Sequence, residues 1–365
     1  MTTTSNSTRI LSIQSHVAFG YVGGKAAVFP LQCLGYDVDV INTVNFSNHS
    51  AYHHRGGSKT TPAELEEIFA AMESNGLLVP GTSMRLLTGY TPNAESLETV
   101  GKLARRLREG AEESEGLIYL LDPVLGDSGR LYVSPDCISV YRSMLPLATI
   151  ITPNWFEVET LTDTPLTSLP ALRTALRTLH ETYHVPHVVI TSIPLSSWLQ
   201  AALPPTLGPT SSSEHILCLT SSANPSDPST VHALAVPTIP GYFTGVGDLF
   251  SALVLGNYKP PSSLVDSSRF SSTFDHSTPL SVAASSALCT THLLITQTHN
   301  HSMTLPQSER EPTDDEKDAA DEGRKRRRMR GRELKIVQGR GAFTWDRPEA
   351  KEVEEWRMKG WEGFW

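Results

Sequence analysis

Short apolar runs alternating with longer stretches of 3.6-residue periodicity constrain the fold of this chain more than any other feature. Such a rhythm belongs to βαβ units, in which parallel strands are joined by crossover helices. Residues 10–13 read as a first strand that ends in polar Gln14, Ser15 and His16, and residues 37–44 as a second. Residues 85–88, 117–121, 149–151 and 188–193 supply further strands, and residues 216–220 and 231–239 a later hairpin. A glycine-rich turn over residues 20–24 opens an apolar helix through Leu34. Thr61-Pro62-Ala63-Glu64 combines a capping residue, proline in the first turn and glutamate three on, which starts another helix. Residues 96–108, 169–183, 247–255 and 282–294 read as the remaining helices. The expectation is an α/β fold of three layers, a mainly parallel sheet flanked by helices, with ligands at the strands' carboxyl ends.

The rhythm breaks in three places. Residues 194–228 and 260–279 are rich in Ser, Pro and Thr, with too little apolar surface to offset ordering entropy, and read as surface insertions. Residues 305–332 join an acidic block to seven basic residues and read as a disordered charged insertion. Strand character returns over residues 333–345, taken as the last strand, and residues 346–365 form a C-terminal extension. Residues 9–304 then make up the bulk of the domain.

Composition excludes several classes. With 39 acidic against 30 basic residues the chain is not coated in the basic surface of a general nucleic-acid binder. No apolar run approaches the roughly 18 residues that span a bilayer, and the first nine residues lack the core of a secretory signal. The four cysteines lie far apart, with no metal or disulfide spacing. A reduced, cytoplasmic protein of enzyme size is expected, with nuclear import through residues 324–332 as an alternative.

Three constellations carry chemistry. Gly245-Val246-Gly247-Asp248 precedes an apolar helix, so successive backbone N–H groups at a helix N-terminus favour an anion. Asp248 in that turn is placed to take a proton from a hydroxyl that attacks a phosphoryl group. Its bland counterpart is a glycine turn with Asp248 as cap. Asp122 and Asp127 follow an apolar strand and suit Mg²⁺, which takes carboxylates, water and phosphate oxygens. Asn154 and Glu157 follow the next strand and share a helix face toward the same region, or else form an ordinary cap. Ser15 and the loop Phe46-Ser47-Asn48-His49-Ser50 bring polar groups to the same sheet edge, and Gly56-Gly57 would let the second loop move as a substrate cover.

Two other patterns are weaker. His180-Glu181-Thr182-Tyr183-His184 matches the HExxH zinc pattern, but Pro186 follows at once and no third ligand stands at a familiar spacing. Gly23-Gly24-Lys25-Ala26 lacks the Ser/Thr and the first glycine of a P-loop.

The segments LSIQSHVAFGYVGGKAA, FPLQCLGYDVDVINTVNFSNHS, LLTGYT, LDPVLGD, ITPNWFEVE, VVITS and FTGVGDLFSA, in this order, resemble the pyridoxal kinase branch of the ribokinase superfamily. The resemblance runs from about Arg9 to Thr291 and resumes at Glu333-Leu334-Lys335-Ile336-Val337-Gln338. It implies a ribokinase-like fold and ATP-dependent phosphorylation of the 5′-hydroxyl of pyridoxal, and of pyridoxine and pyridoxamine, to 5′-phosphates. It implies Asp248 as the base and the amides of Gly245, Val246 and Gly247 as the anion hole. Asp122, Asp127 and Glu157 would organise Mg²⁺ and the ATP phosphates. Asn154, Thr191 and Ser192 match nucleotide contacts, with Tyr132 as a lid residue, and Thr152 matches a position near a monovalent cation such as K⁺. Ser15, Val22, His49, Ser50 and Tyr90 match the vitamin pocket. A homodimer is implied too. Departures are Val246 for the usual threonine, Ser50 for a common threonine, Gly24 for asparagine and Arg55 where an aromatic is frequent. Left open are a kinase for a related ring alcohol such as hydroxymethylpyrimidine, a non-catalytic descendant binding the vitamin or a partner, and nucleic-acid binding through residues 324–332.

Overall fold

Strand β1 (Arg9–Val17) shows how the sheet divides the molecule: Leu11 and Ile13 enter one core and Ile10 the other. The same period-two sorting recurs in β4 (Arg85–Thr88), with Leu86 and Leu87, and in β5 (Ile118–Leu121), with Leu121 and Leu120. Runs apolar on both faces belong to strands covered by helices on both sides. The computed structural model describes residues 8–109, 116–209, 214–224, 227–260, 277–343 and 355–365.

The other strands are β2 (Asp37–Phe46), β3 (Gly57–Lys59), β6 (Gly126–Asp127), β7 (Arg130–Leu131), β8 (Ile150–Ile151), β9 (His187–Pro194), β10 (His215–Asn224), β11 (Asp227–Pro237) and β12 (Lys359–Gly360). Ten of them form one sheet in the order β12-β11-β10-β9-β8-β5-β4-β1-β2-β3, while β6 and β7 make a small separate hairpin. Strands β2, β1, β4, β5, β8 and β9 run parallel, and the pairings outside them are antiparallel. Strand order reverses at β1, which opens a crevice at its carboxyl end.

Helices α1 (Gly24–Cys33), α8 (Val246–Asn257) and α9 (Pro279–Met303) cover one face. The other is covered by α2 (Pro62–Ser74), α3 (Ala94–Arg108), α4 (Asp136–Met144), α5 (Trp155–Thr162), α6 (Leu169–Arg177) and α7 (Ser197–Ala202). The expected capping box starts α2: Thr61 Oγ1 accepts the Glu64 N–H and Glu64 accepts the Thr61 N–H at 2.7 Å. Helix α9 is 25 residues long and, by length and composition, apolar enough to cross a membrane, longer than any uninterrupted apolar run in the sequence. Here it packs on α8, with Leu280, Ala283, Ala284 and Ala287 buried.

Three expectations need correction, and a fourth falls mostly outside the described residues. The segment 194–228 is not a mere insertion: it contains α7 and β10, and Leu217 and Leu219 of β10 are fully buried between β9 and β11. Of the stretch 260–279, residues 261–276 lie outside the described residues. Residues 305–332 form α10 (Gln307–Arg310), α11 (Asp315–Ala320) and α12 (Glu322–Gly331). Their charges pair inward, Arg324 with Glu311 and Asp318, and Arg328 with Asp318, so opposite blocks order each other. Among the described residues 333–343 no strand forms, so the expected last strand is not there. Leu334 and Ile336 are buried against the helical face, but the Lys335 N–H goes to Thr298 Oγ1 of α9 and the Gly339 N–H to the Lys335 carbonyl, which makes a turn. The edge strand is instead β12, in the C-terminal extension, whose Trp361 and Phe364 enter the other core. The expected helix over 169–183 also changes character, α6 passing into a π-helical turn over Thr178–Thr182 before Pro186.

Candidate active site

The carboxyl ends of the six parallel strands deliver most of the site. Gly245 caps α8 with φ 79°, and a Cβ there would lie 1.9 Å from the Tyr21 carbonyl, so only glycine lets the turn press against the loop after β1. The first intrahelical bond runs from the Leu249 N–H to the Gly245 carbonyl, which leaves the N–H groups of Val246, Gly247 and Asp248 without partners inside the helix. A Cβ on Gly247 would meet nothing within 4 Å, so this turn faces open space. Asp248 sits in the first turn, where the helix dipole favours negative charge. Burial raises its pKa, opposed by a hydrogen bond from the Gly23 N–H at the start of α1.

Asp122 follows β5 and is buried. Its Oδ2 accepts the Ser251 hydroxyl at 3.0 Å, and Ser251 in turn meets Thr152 Oγ1 at 2.8 Å. Burial first, then the charge of Asp248, push Asp122 up to about 8, against the Ser251 bond that lowers it. Glu157 is raised well above the carboxylate range, by burial and then by Asp122. Asp122 is raised in part by the charge of Asp248, and Glu157 in part by that of Asp122, a crowding of negative charge that a divalent cation would relieve. Asp122 and Asp127 are hard oxygen donors of the kind that Mg²⁺ takes.

Asn154 and Glu157 form a reciprocal cap on α5, the plainer of the two readings: Asn154 Oδ1 accepts the Glu157 N–H and Glu157 Oε2 the Asn154 N–H, each at 2.9 Å. Glu157 Oε1 also accepts the Leu125 N–H, and Asn154 Nδ2 donates to the Gly126 carbonyl. The pair thus holds the Gly126–Asp127 strand that presents Asp127, whose Oδ1 accepts the Ser128 N–H at 2.7 Å. Both oxygens of Glu157 are engaged by backbone, so it is less available to an ion than Asp122 or Asp127. Tyr132, after the β6–β7 hairpin, is exposed, and its hydroxyl bonds Tyr242 on the loop before α8. Thr191 lies beside Asn154 through an N–H bond to the Pro153 carbonyl, and half-buried Ser192 follows it.

At the other side of the crevice, Ser15 lies against Gly23, where a Cβ would come within 2.2 Å of the Ser15 hydroxyl. Val22 and Tyr90 are half-buried, and the Tyr90 carbonyl accepts Thr43 Oγ1. His49 is buried and Ser50 exposed on the loop between β2 and β3.

The phosphomethylpyrimidine kinase family model matches residues 88–274, about half of the chain. The pyridoxal kinase of Arabidopsis thaliana is 39% identical over 253 residues, covering 69% of this chain and 74% of that one. The pyridoxal kinase of Dictyostelium discoideum is 34% identical over 304 residues, covering 82% and 89%. The chain belongs to the pyridoxal kinase family. Its fold is likewise similar to the structure of pyridoxal kinase from Leishmania donovani in complex with ADP and pyridoxine, with a TM-score of 0.71, 28% identity and coverage of 97% and 98%.

In this pyridoxal kinase family member the other motifs serve the fold. Both ring nitrogens of His180 are taken, Nδ1 by the Val185 carbonyl and Nε2 by the Ser221 hydroxyl, so the HExxH match holds a β-strand in place. Lys25 donates to the Ala18 carbonyl. Arg324 and Arg328 of the basic run are buried in ion pairs, which withdraws them from any nucleic acid or import receptor. Sequence reasoning missed Ser251, Thr244, Tyr52 and above all Glu333. Glu333 stands at the head of a motif the sequence did reveal, but reading that motif as a strand hid its side chain's destination.

Proposed function

We infer that this chain is an ATP-dependent pyridoxal kinase, which transfers the γ-phosphoryl group to the 5′-hydroxyl of pyridoxal and its vitamers. The observation that carries the reading is the meeting of Asp248, its pKa raised by burial, with the open N-terminal turn of α8. A base with a pKa nearer neutrality takes a hydroxyl proton more effectively, and free backbone amides stabilise charge on the transferring group. The reading assigns Asp248 to the proton and Gly245, Val246 and Gly247 to the phosphoryl oxygens. Val246 removes a hydroxyl but no amide, so the anion hole is kept.

Asp122 and Asp127 would hold Mg²⁺, with Glu157 behind them fixing the Gly126–Asp127 strand. When bound, the ion neutralises the charge that builds on the phosphates. Asn154, Thr191, Ser192 and Tyr132 are assigned to ATP, and Ser15, Val22, His49, Ser50 and Tyr90 to the vitamin. A monovalent ion near Thr152 and a homodimer belong to the same reading, supported by the family resemblance. In-line transfer then needs only that the two halves of the crevice hold their substrates on opposite sides of the α8 turn.

The test is ATP-dependent phosphate transfer to pyridoxal, pyridoxine, pyridoxamine and hydroxymethylpyrimidine, with and without Mg²⁺. Product from the B6 vitamers that requires Mg²⁺ is expected. The pyrimidine is included because the matching family model is the phosphomethylpyrimidine kinase one. Turnover of the pyrimidine alone would replace pyridoxal as the substrate, and no turnover of any would overturn the reading.

A further inference from the structure

The carboxylate of Glu333 ties together loops from three parts of the chain. Its Oε1 accepts from His49 Nε2 and from the Tyr52 hydroxyl, each at 2.8 Å, and its Oε2 accepts the Tyr21 N–H at 3.0 Å. His49 and Tyr52 belong to the loop between β2 and β3, and Tyr21 to the loop between β1 and α1. Thr244, on the loop entering α8, closes the set with its hydroxyl 3.1 Å from His49 Nε2.

The backbone is shaped for this carboxylate. Gly20 has φ 94°, and a Cβ there would stand 2.7 Å from Glu333 Oε2. Glu333 itself is buried, 5% exposed, which alone would make ionisation costly. Burial raises its pKa, but the bonds and charge from His49, then Tyr52 and Tyr21, outweigh it and hold the carboxyl below its usual range. An ionised buried carboxylate is tolerated only with its donors in place, so the two loops and Glu333 order as a unit. The bond to Glu333 also fixes which atom of His49 is spent. Nε2 is turned to the carboxylate, while buried Nδ1 has no hydrogen-bond partner among the described residues.

We propose that Glu333 is a positioning residue for the vitamin half of the site, locking His49 and holding the loop between β2 and β3 over the crevice, so that it sets affinity for the vitamin while leaving the nucleotide half untouched. The proposal rests on the pyridoxal kinase reading, because it takes His49 and Ser15 as vitamin contacts. The two halves are structurally separable. Of the ATP-assigned residues, Tyr132 follows β7, Asn154 follows β8, and Thr191 and Ser192 lie in the second half of β9, whereas the residues clamped by Glu333 follow β1 and β2 and precede α8.

The experiment is steady-state kinetics of the full chain and of Glu333→Gln, with KM measured separately for pyridoxal and for ATP. Losing charge-assisted hydrogen bonds predicts a rise in pyridoxal KM of about ten- to a hundred-fold, with ATP KM within about two-fold of wild type. A double-mutant cycle with His49→Asn reads the route: if Glu333 acts through His49, the second substitution adds little to the first. Tyr52→Phe, which removes one hydroxyl, gives a second probe should Glu333→Gln fail to fold, with a smaller rise in pyridoxal KM expected. Unchanged pyridoxal KM in whichever variant folds, or an equal rise for ATP, overturns the clamp. Absence of transfer by the wild-type chain would instead remove the reading beneath it, so the two failures are distinct.

Discussion

At the scale of single residues, the decisive groups are carboxylates whose surroundings set their protonation. Replacing Asp248 with alanine is expected to lower kcat by about 10²–10⁴-fold, the usual worth of a general base, with ATP affinity kept. Near-normal turnover would remove the assignment. Asp122 makes a pH prediction. Its folded pKa, about 8, lies above its ordinary value of 3.8, so its contribution to stability is full below about pH 4 and is lost as pH rises through 8. The metal-free protein should lose melting temperature across that window. Asp122→Asn should flatten the fall, a difference of about 1–3 kcal/mol at pH 8. Mg²⁺ favours the ionised form and should raise Tm more at pH 8.5 than at pH 6.5. Equal Mg²⁺ shifts at both pH values would mean that Asp122 does not meet the ion. The presence of Asp122, Asp127, Glu157 and Asp248 at strand ends was legible in the sequence. The upward pKa shifts of Asp122, Glu157 and Asp248 were not, because these depend on burial and, for Asp122 and Glu157, on a second carboxylate brought near by the fold.

At the scale of elements, turns were legible where one residue type alone satisfies the backbone. The αL conformation of Gly245 against the Tyr21 carbonyl is such a case. Gly245→Ala should cost about 2–4 kcal/mol, from left-handed strain plus the clash, and should abolish activity along with it. Urea unfolding checks it, and a wild-type midpoint would show that the turn is not under this constraint. The capping box of α2 was equally legible, since Thr61 and Glu64 are local partners. Helices α11 and α12 were not. Residues 314–332 look like opposed charge blocks with no apolar periodicity, and local rules assign them to disorder. Their order comes from Asp318 receiving both Arg324 and Arg328, a pairing between two helices that a linear pattern does not disclose. Leu334 and Ile336 misled for the opposite reason. Alternating apolar residues suggest a strand, yet the same alternation lets a turn plug two side chains into the helical face.

At the scale of the whole molecule, alternation of strand and helix was sufficient to place the six parallel strands, because each crossover is local in sequence. What escaped was the closure of the sheet's far edge. Strand β12 pairs with β11 through His232 and Ala233, and the Trp361 N–H donates to the Val231 carbonyl at 2.9 Å. Trp361 packs edge-on against Phe364 with ring centroids 5.0 Å apart. Trp361→Ala should therefore destabilise the domain by about 3–5 kcal/mol, as for other buried aromatics, although it lies far from the crevice. Calorimetry would show this as a lowered Tm, whereas an unchanged Tm would make the extension an appendage.

Strand β12 also sets a timetable for synthesis. A nascent chain that has passed Glu333 already contains every carboxylate and glycine named at the crevice, yet β11 still presents an unpaired flank and the pocket for Trp361 and Phe364 stands open. Ribosomes add about 5–20 residues per second, so this intermediate persists for seconds while the roughly thirty residues up to Phe364 are made. An exposed edge strand beside an open apolar pocket is a template for pairing with other chains. Chaperone demand during production of this kinase should thus fall on the sheet edge farthest from its chemistry.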